Sequence, residues 1–152
     1  MKTLCTINGA MDVSDLRQRI LRALDAARVD AATKRTDVDA AQAAYDTWLR
    51  DVAVPLLRQA QAILKAENHM FTVHSPAGSA RLASDGHPET FLEFVLDTSG
   101  DRPHVLSRTS VARGAKRVSV DERPVVAGKA VKDISEQEVA ALLVATIPKL
   151  IK

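Results

Sequence analysis

Apolar residues along this chain keep two different beats, and the change between them falls near residue 70. Over 39–69, Ala41, Tyr45, Trp48, Val52, Leu56, Ala60 and Ile63 recur in steps of three or four. That spacing lines one face of a helix. The stripe holds the only Trp and the only Tyr of the chain. Upstream, Leu16, Ile20, Leu24 and Ala27 or Ala31 form a similar stripe, while Arg17, Arg19, Arg22 and Arg28 take other faces. Asp12 or Ser14 is placed to cap that helix, since either side-chain oxygen can accept from a free backbone N–H of the first turn.

Between Val29 and Ala40 the stripe thins to Ala and polar residues. Thr33 and Thr36 are weak helix formers, but no Gly or Pro forces a stop. Two outcomes are open: one rod, or a helical hairpin turning near 34–37. A helix running from 12 to 69 would be about 85 Å long at ~1.5 Å per residue. A rod of that length calls for a partner helix, most simply from a second copy. Pro55 removes a helical hydrogen bond and clashes with the preceding turn, which predicts a kink or short break near 52–54. Asn68 suits a left-handed helix cap.

After residue 69 the period becomes two. Phe71 and Val73 alternate with Thr72 and His74; 80–84 follows a turn at 75–78. The strongest strand is 90–97, with Leu92, Phe94 and Leu96 opposite Phe91 and Val95. In 104–112, Val105 and Val111 oppose Arg108; a loop at 113–116 leads to 117–121, with Val118 and Val120 expected inward. Pro124, Val125 and Val126 make a further short strand or a link. Short loops between strands argue for antiparallel pairing. Ser135 and Glu138 then have the spacing of a capping box, followed by a stripe of Val139, Leu142, Leu143, Thr146 and Leu150. Pro148 is expected to kink that helix or to end it near Ala145.

The predicted fold class is α+β in a single domain, 1–152. An N-terminal helical segment (12–69) is a long helix or a hairpin. An antiparallel β-meander of about four to six strands (70–127) follows, and a C-terminal helix (134–151) packs on the sheet. Residues 1–11 read as a short strand or an arm.

Composition changes this picture little. Hydrophobic residues make up 46% and charged residues 26%, as in ordinary soluble proteins. Aromatics are only 3%, so aliphatic side chains must fill the core. The net charge of +2 is unevenly spread. Over 69–100, Arg81 faces Asp85, Glu89, Glu93 and Asp97, whereas 101–133 is basic. Cys5 is alone and has no internal disulfide partner, which fits a reducing compartment. The start lacks the continuous apolar run of a signal peptide, and nothing approaches the ~18 apolar residues of a membrane span. The expectation is a soluble cytoplasmic protein without a membrane partner.

Motifs of common chemistry are missing: no phosphate loop at Gly128-Lys129 or at Gly114-Ala115-Lys116, no nucleophile elbow, no zinc-protease helix motif. His69, His74, His87 and His104 are scattered over different elements, unlike converging metal ligands. Cys5 has no neighbouring cation to make it a thiolate. Glu93 and Asp97 share a strand face about 13 Å apart at ~3.3 Å per residue, too far for paired-carboxylate hydrolysis. A carboxylate-bearing solvent face is expected there. No cofactor is expected.

The leading expectation is a small non-enzymatic interaction module of adaptor or chaperone-like type, self-associating through its N-terminal helices. Its partners are a second copy and an unidentified protein. Tyr45, Trp48, Val52 and Leu56 are the candidate interface residues, because Trp and Tyr are enriched at binding hot spots; packing on the chain's own sheet is the competing use. The alternative is binding of nucleic acid or another polyanion through 102–132. There Arg108, Arg113, Lys116, Arg117 and Arg123 would neutralise phosphates, with several of them on one face of neighbouring strands. That segment has no aromatic platform for bases.

Overall fold

The computed structural model describes residues 12–114 and 117–151. Cys5 and the expected arm or strand at 1–11 lie outside the described residues, as does Lys116. The chain divides into two units at Asp37/Val38, with helix α1 (Val13–Trp48) crossing the division.

In the first unit, Asp12 starts the helix. Its side chain accepts from the Ser14 N–H at 3.2 Å, and its carbonyl accepts from the Leu16 N–H at 3.0 Å. α1 has no break near 34–37, so the long helix and not the hairpin is formed there. Thr36 is absorbed by donating to the Ala32 carbonyl at 3.0 Å, within the helix. Every residue from 12 to 37 is exposed.

In the second unit, the end of α1 runs into a π-helical turn, Leu49–Ala53, and then α2, Val54–Ala66. The Val54 N–H bonds the Leu49 carbonyl, one residue wider than an α-helical bond. Pro55 falls in the first turn of α2, where a missing N–H is tolerated. The expected break is therefore a wide turn and not a gap. The extra residue rotates everything downstream by about 100°, given 3.6 residues per turn. Hence Ala53, Leu57 and Leu64 are buried, and Ile63, expected on the stripe, is 65% exposed. Asn68 closes α2 with φ 65°. Its N–H bonds the Lys65 carbonyl (3.1 Å) and the His69 N–H bonds the Leu64 carbonyl (2.8 Å), completing a Schellman motif.

Five antiparallel strands follow in simple meander order: β1 (Phe71–His74), β2 (Ser79–Ser84), β3 (Phe91–Asp97), β4 (His104–Ala112) and β5 (Val118–Pro124). Gly78, at φ 80°, permits the tight β1–β2 turn. α2 packs on β1 and β2. α3 (Glu136–Leu150) packs on β4, α2 and the π turn. The Ser135–Glu138 capping box starts α3, with the Glu138 N–H 3.2 Å from Ser135 Oγ. α3 continues through Pro148 to Leu150 and does not end at Ala145. Pro148 cannot donate to the carbonyl one turn back, and only Lys149 and Leu150 follow it before the helix ends.

The helix-facing side of the sheet supplies Phe71, Ala80, Leu82, Leu92, Phe94 and Val105 to the core. Leu56, Leu57, Leu64, Val139, Leu143 and Leu150 meet them from the helices. The pairing of Ser110 with Val120 and of Ala112 with Val118 puts both valines on the opposite side. They are 57% and 49% exposed, contrary to their expected inward setting, because no helix covers that face of the edge strand.

Candidate functional site

Tyr45, Trp48 and Leu56 are buried in the core of the second unit, and Val52 is packed against it. Trp48 stacks on Tyr45 (6.1 Å between centroids) and meets Phe94 edge-on (5.3 Å). The Tyr45 hydroxyl is 2.9 Å from the Gly78 carbonyl and 3.1 Å from that of Phe94. Burial, then the charges of Glu93 and Asp46, push its pKa above the ordinary value. Tyr45, Trp48 and Leu56 are thus core residues, and Val52 is half-buried beside them: a chain with so few rings uses them where apolar area is removed from water. Exposed large apolar residues recur most regularly upstream. Leu16, Ile20, Leu21 and Leu24 are each 45–49% exposed on α1.

The basic residues divide between the two sides of the sheet. Arg108 pairs across to Glu122 and Glu93, whereas Arg123 lies opposite Ser107. Neighbouring residues on a strand point to opposite faces, so Arg108 and Arg123 do not share a face as expected. On the outer face, Arg81, Glu93, Arg108 and Glu122 form one row across β2, β3, β4 and β5. Glu93 is only 4% exposed, which corrects the expected solvent carboxylate. Arg81 roofs it at 2.8 Å while stacking on the Phe91 ring, and Arg108 reaches it at 3.3 Å. Asp97, on the same face, accepts from the Ser99 hydroxyl and N–H. Those bonds, with His104 nearby, hold its carboxyl below the usual range. Both carboxylates are thus committed to neighbours and are not poised as an acid–base pair.

On the helix side, β5 extends past the cover that α3 gives to β4. A cleft of about 480 Å³ opens there. Arg113, Arg123 and Lys149 supply cations to it, and Ser107, Thr109, Ser119 and Thr146 supply hydroxyls. Val111, Leu142 and Ala145 form apolar parts of its wall, and no aromatic residue lines it. Asp121, the single acid of the lining, pairs with Arg123 at 2.8 Å. Of the residues expected for polyanion binding, the cleft therefore gathers Arg113 and Arg123. Arg117 is exposed, and its carbonyl accepts from the Arg113 N–H at 2.7 Å, closing the β4–β5 loop. Lys149 and Thr146 were missed in the sequence, where both read only as part of a helix. Alternation along β4 was the available signal for Ser107 and Thr109, since both share a face with Val105 and Val111.

Among the described residues, no group of three or more His, Cys, Asp or Glu could hold a metal ion, and no helix is long and apolar enough to cross a membrane. Comparison of the chain with protein-family models, curated proteins and solved structures finds no match.

Proposed function

We propose that the chain is a non-enzymatic interaction module that self-associates through the helical segment 13–37. One observation carries this reading: a continuous helical segment in which every side chain is exposed, with a row of large apolar residues along one side. Val13, Leu16, Ile20, Leu24, Ala27 and Ala31 follow steps of three and four. Their mean spacing is that of a straight helix, which packs on a neighbour without pronounced supercoiling. Helices of this length are marginal alone in water and gain most of their stability from packing. The local pairs Asp15–Arg19 (3.2 Å) and Asp25–Arg28 (3.4 Å) are highly exposed and add little.

Charge at the flanks of the row favours a second copy as the occupant. Asp12 and Asp30 lie on one flank; Arg17 and Arg35, each five residues further on, lie on the other. In a parallel in-register pair, the flank of one helix faces the opposite flank of its copy five residues on, so acid meets base twice on each side. An antiparallel pair would set like flanks together. Residues 12–37 include six basic and five acidic residues, a balance that suits self-pairing better than an anionic surface.

Replacing Leu16, Ile20 and Leu24 together by Gln tests the reading. Association is expected to be lost while the near-UV circular dichroism of buried Trp48 is retained. Undiminished association in that variant contradicts the assignment of the surface.

A further inference from the structure

We propose that the cleft between β4, β5 and α3 binds a small phosphorylated polyol, a site separate from the helical surface and independent of self-association. Its three cations come from three elements: Arg113 after β4, Arg123 on β5 and Lys149 in the last turn of α3. Bases brought together from distant parts of the chain repel one another, and an anion between them relieves that repulsion. The opposing charges are weaker. Asp121 contributes one negative charge, and the carbonyl end of α3 about half of one. Asp121 approaches Arg123 at Nε (2.8 Å), and one carboxylate leaves some of the five N–H donors of a guanidinium for a phosphate oxygen. Among the described residues, neither Arg113 nor Lys149 has an acidic partner within ion-pair distance.

The rest of the lining narrows the ligand. Thr109, Ser119 and Thr146 offer hydroxyls that can donate to or accept from a polyol, while Ser107 Oγ, which donates to the Arg123 carbonyl at 3.3 Å, can accept. The volume, about 480 Å³, is in the range of small-ligand sites. The lack of an aromatic platform argues against a nucleobase, and with Arg108 on the other face no continuous basic track is available for a nucleic-acid strand.

Isothermal titration of the full chain tests this with glycerol 3-phosphate, glucose 6-phosphate, glucose, inorganic phosphate and a single-stranded 12-nucleotide DNA. At least one of the two esters is expected to bind once per chain, roughly tenfold or more tighter than glucose or inorganic phosphate, since charge-assisted and neutral contacts act together. The double variant Arg113→Gln/Lys149→Gln should weaken that ester by about tenfold or more, as charged hydrogen bonds are lost. Both side chains are exposed, so the fold is retained. Asp121→Asn should leave the affinity equal or higher. The proposal is overturned if neither ester saturates, if inorganic phosphate binds as well as both, if the double variant binds undiminished, or if DNA binds and the esters do not compete.

Discussion

The Tyr45 hydroxyl lies 3.1 Å from the carbonyl oxygen of Phe94, so the last turns of α1 are fastened to the middle strand of the sheet by a buried polar contact. Tyr45→Phe keeps the ring and removes the bond. Chemical denaturation should show a loss of about 1–2 kcal/mol, the usual net value of a buried hydrogen bond. An unchanged midpoint would show that the hydroxyl is incidental.

The same residue sets a pH dependence at the alkaline end. The folded chain holds the Tyr45 proton above the ordinary value of 10.0, while the unfolded chain releases it there. The folded state therefore binds more protons above pH 10, and stability falls as pH rises beyond that point; below it the contribution is complete. Tyr45 is the only tyrosine, so tyrosinate absorbance reports it alone. Absorbance is expected to rise together with unfolding. Titration near pH 10 in a folded chain would contradict the burial.

Glu93 and Arg108 should be coupled more strongly than an exposed pair. A double-mutant cycle with alanine is expected to give about 1–2 kcal/mol, reduced from a fully buried pair because Arg108 is partly exposed. The Asp25–Arg28 cycle should give at most about 0.5 kcal/mol, as surface helix pairs do. Equal couplings would mean that burial of Glu93 confers nothing.

Element types and most strand limits were legible because apolar spacing reports which side is buried, and the sheet, its meander order and the α3 capping box follow from that. The side facing each helix was less legible after Trp48. No spacing rule signals a π turn, so Ile63 took the place that Leu64 occupies. The edge strand was misread for a related reason. Val118 and Val120 alternate as buried residues would, but alternation does not say which face is covered, and their register against Ser110 and Ala112 sets that. The cleft was legible only in part: Arg113 and Arg123 stand in the basic segment, whereas Lys149 joins them through tertiary packing.

Pairing of the helices in parallel gives a prediction about proximity. With Cys5 replaced by Ser, Ile20→Cys and Ala31→Cys should each cross-link to their own copy under mild oxidation. In parallel register every row position faces itself. In an antiparallel pair at most the position near the midpoint does. Cross-linking at neither site, or at one alone, counts against the parallel arrangement.

Sedimentation equilibrium of the unmodified chain at micromolar concentration bears most directly on self-association. Twice the 16.4 kDa chain mass is expected, returning towards the single-chain mass on dilution. A single-chain mass throughout, with the exposed row of Leu16, Ile20 and Leu24 facing only water, would contradict it.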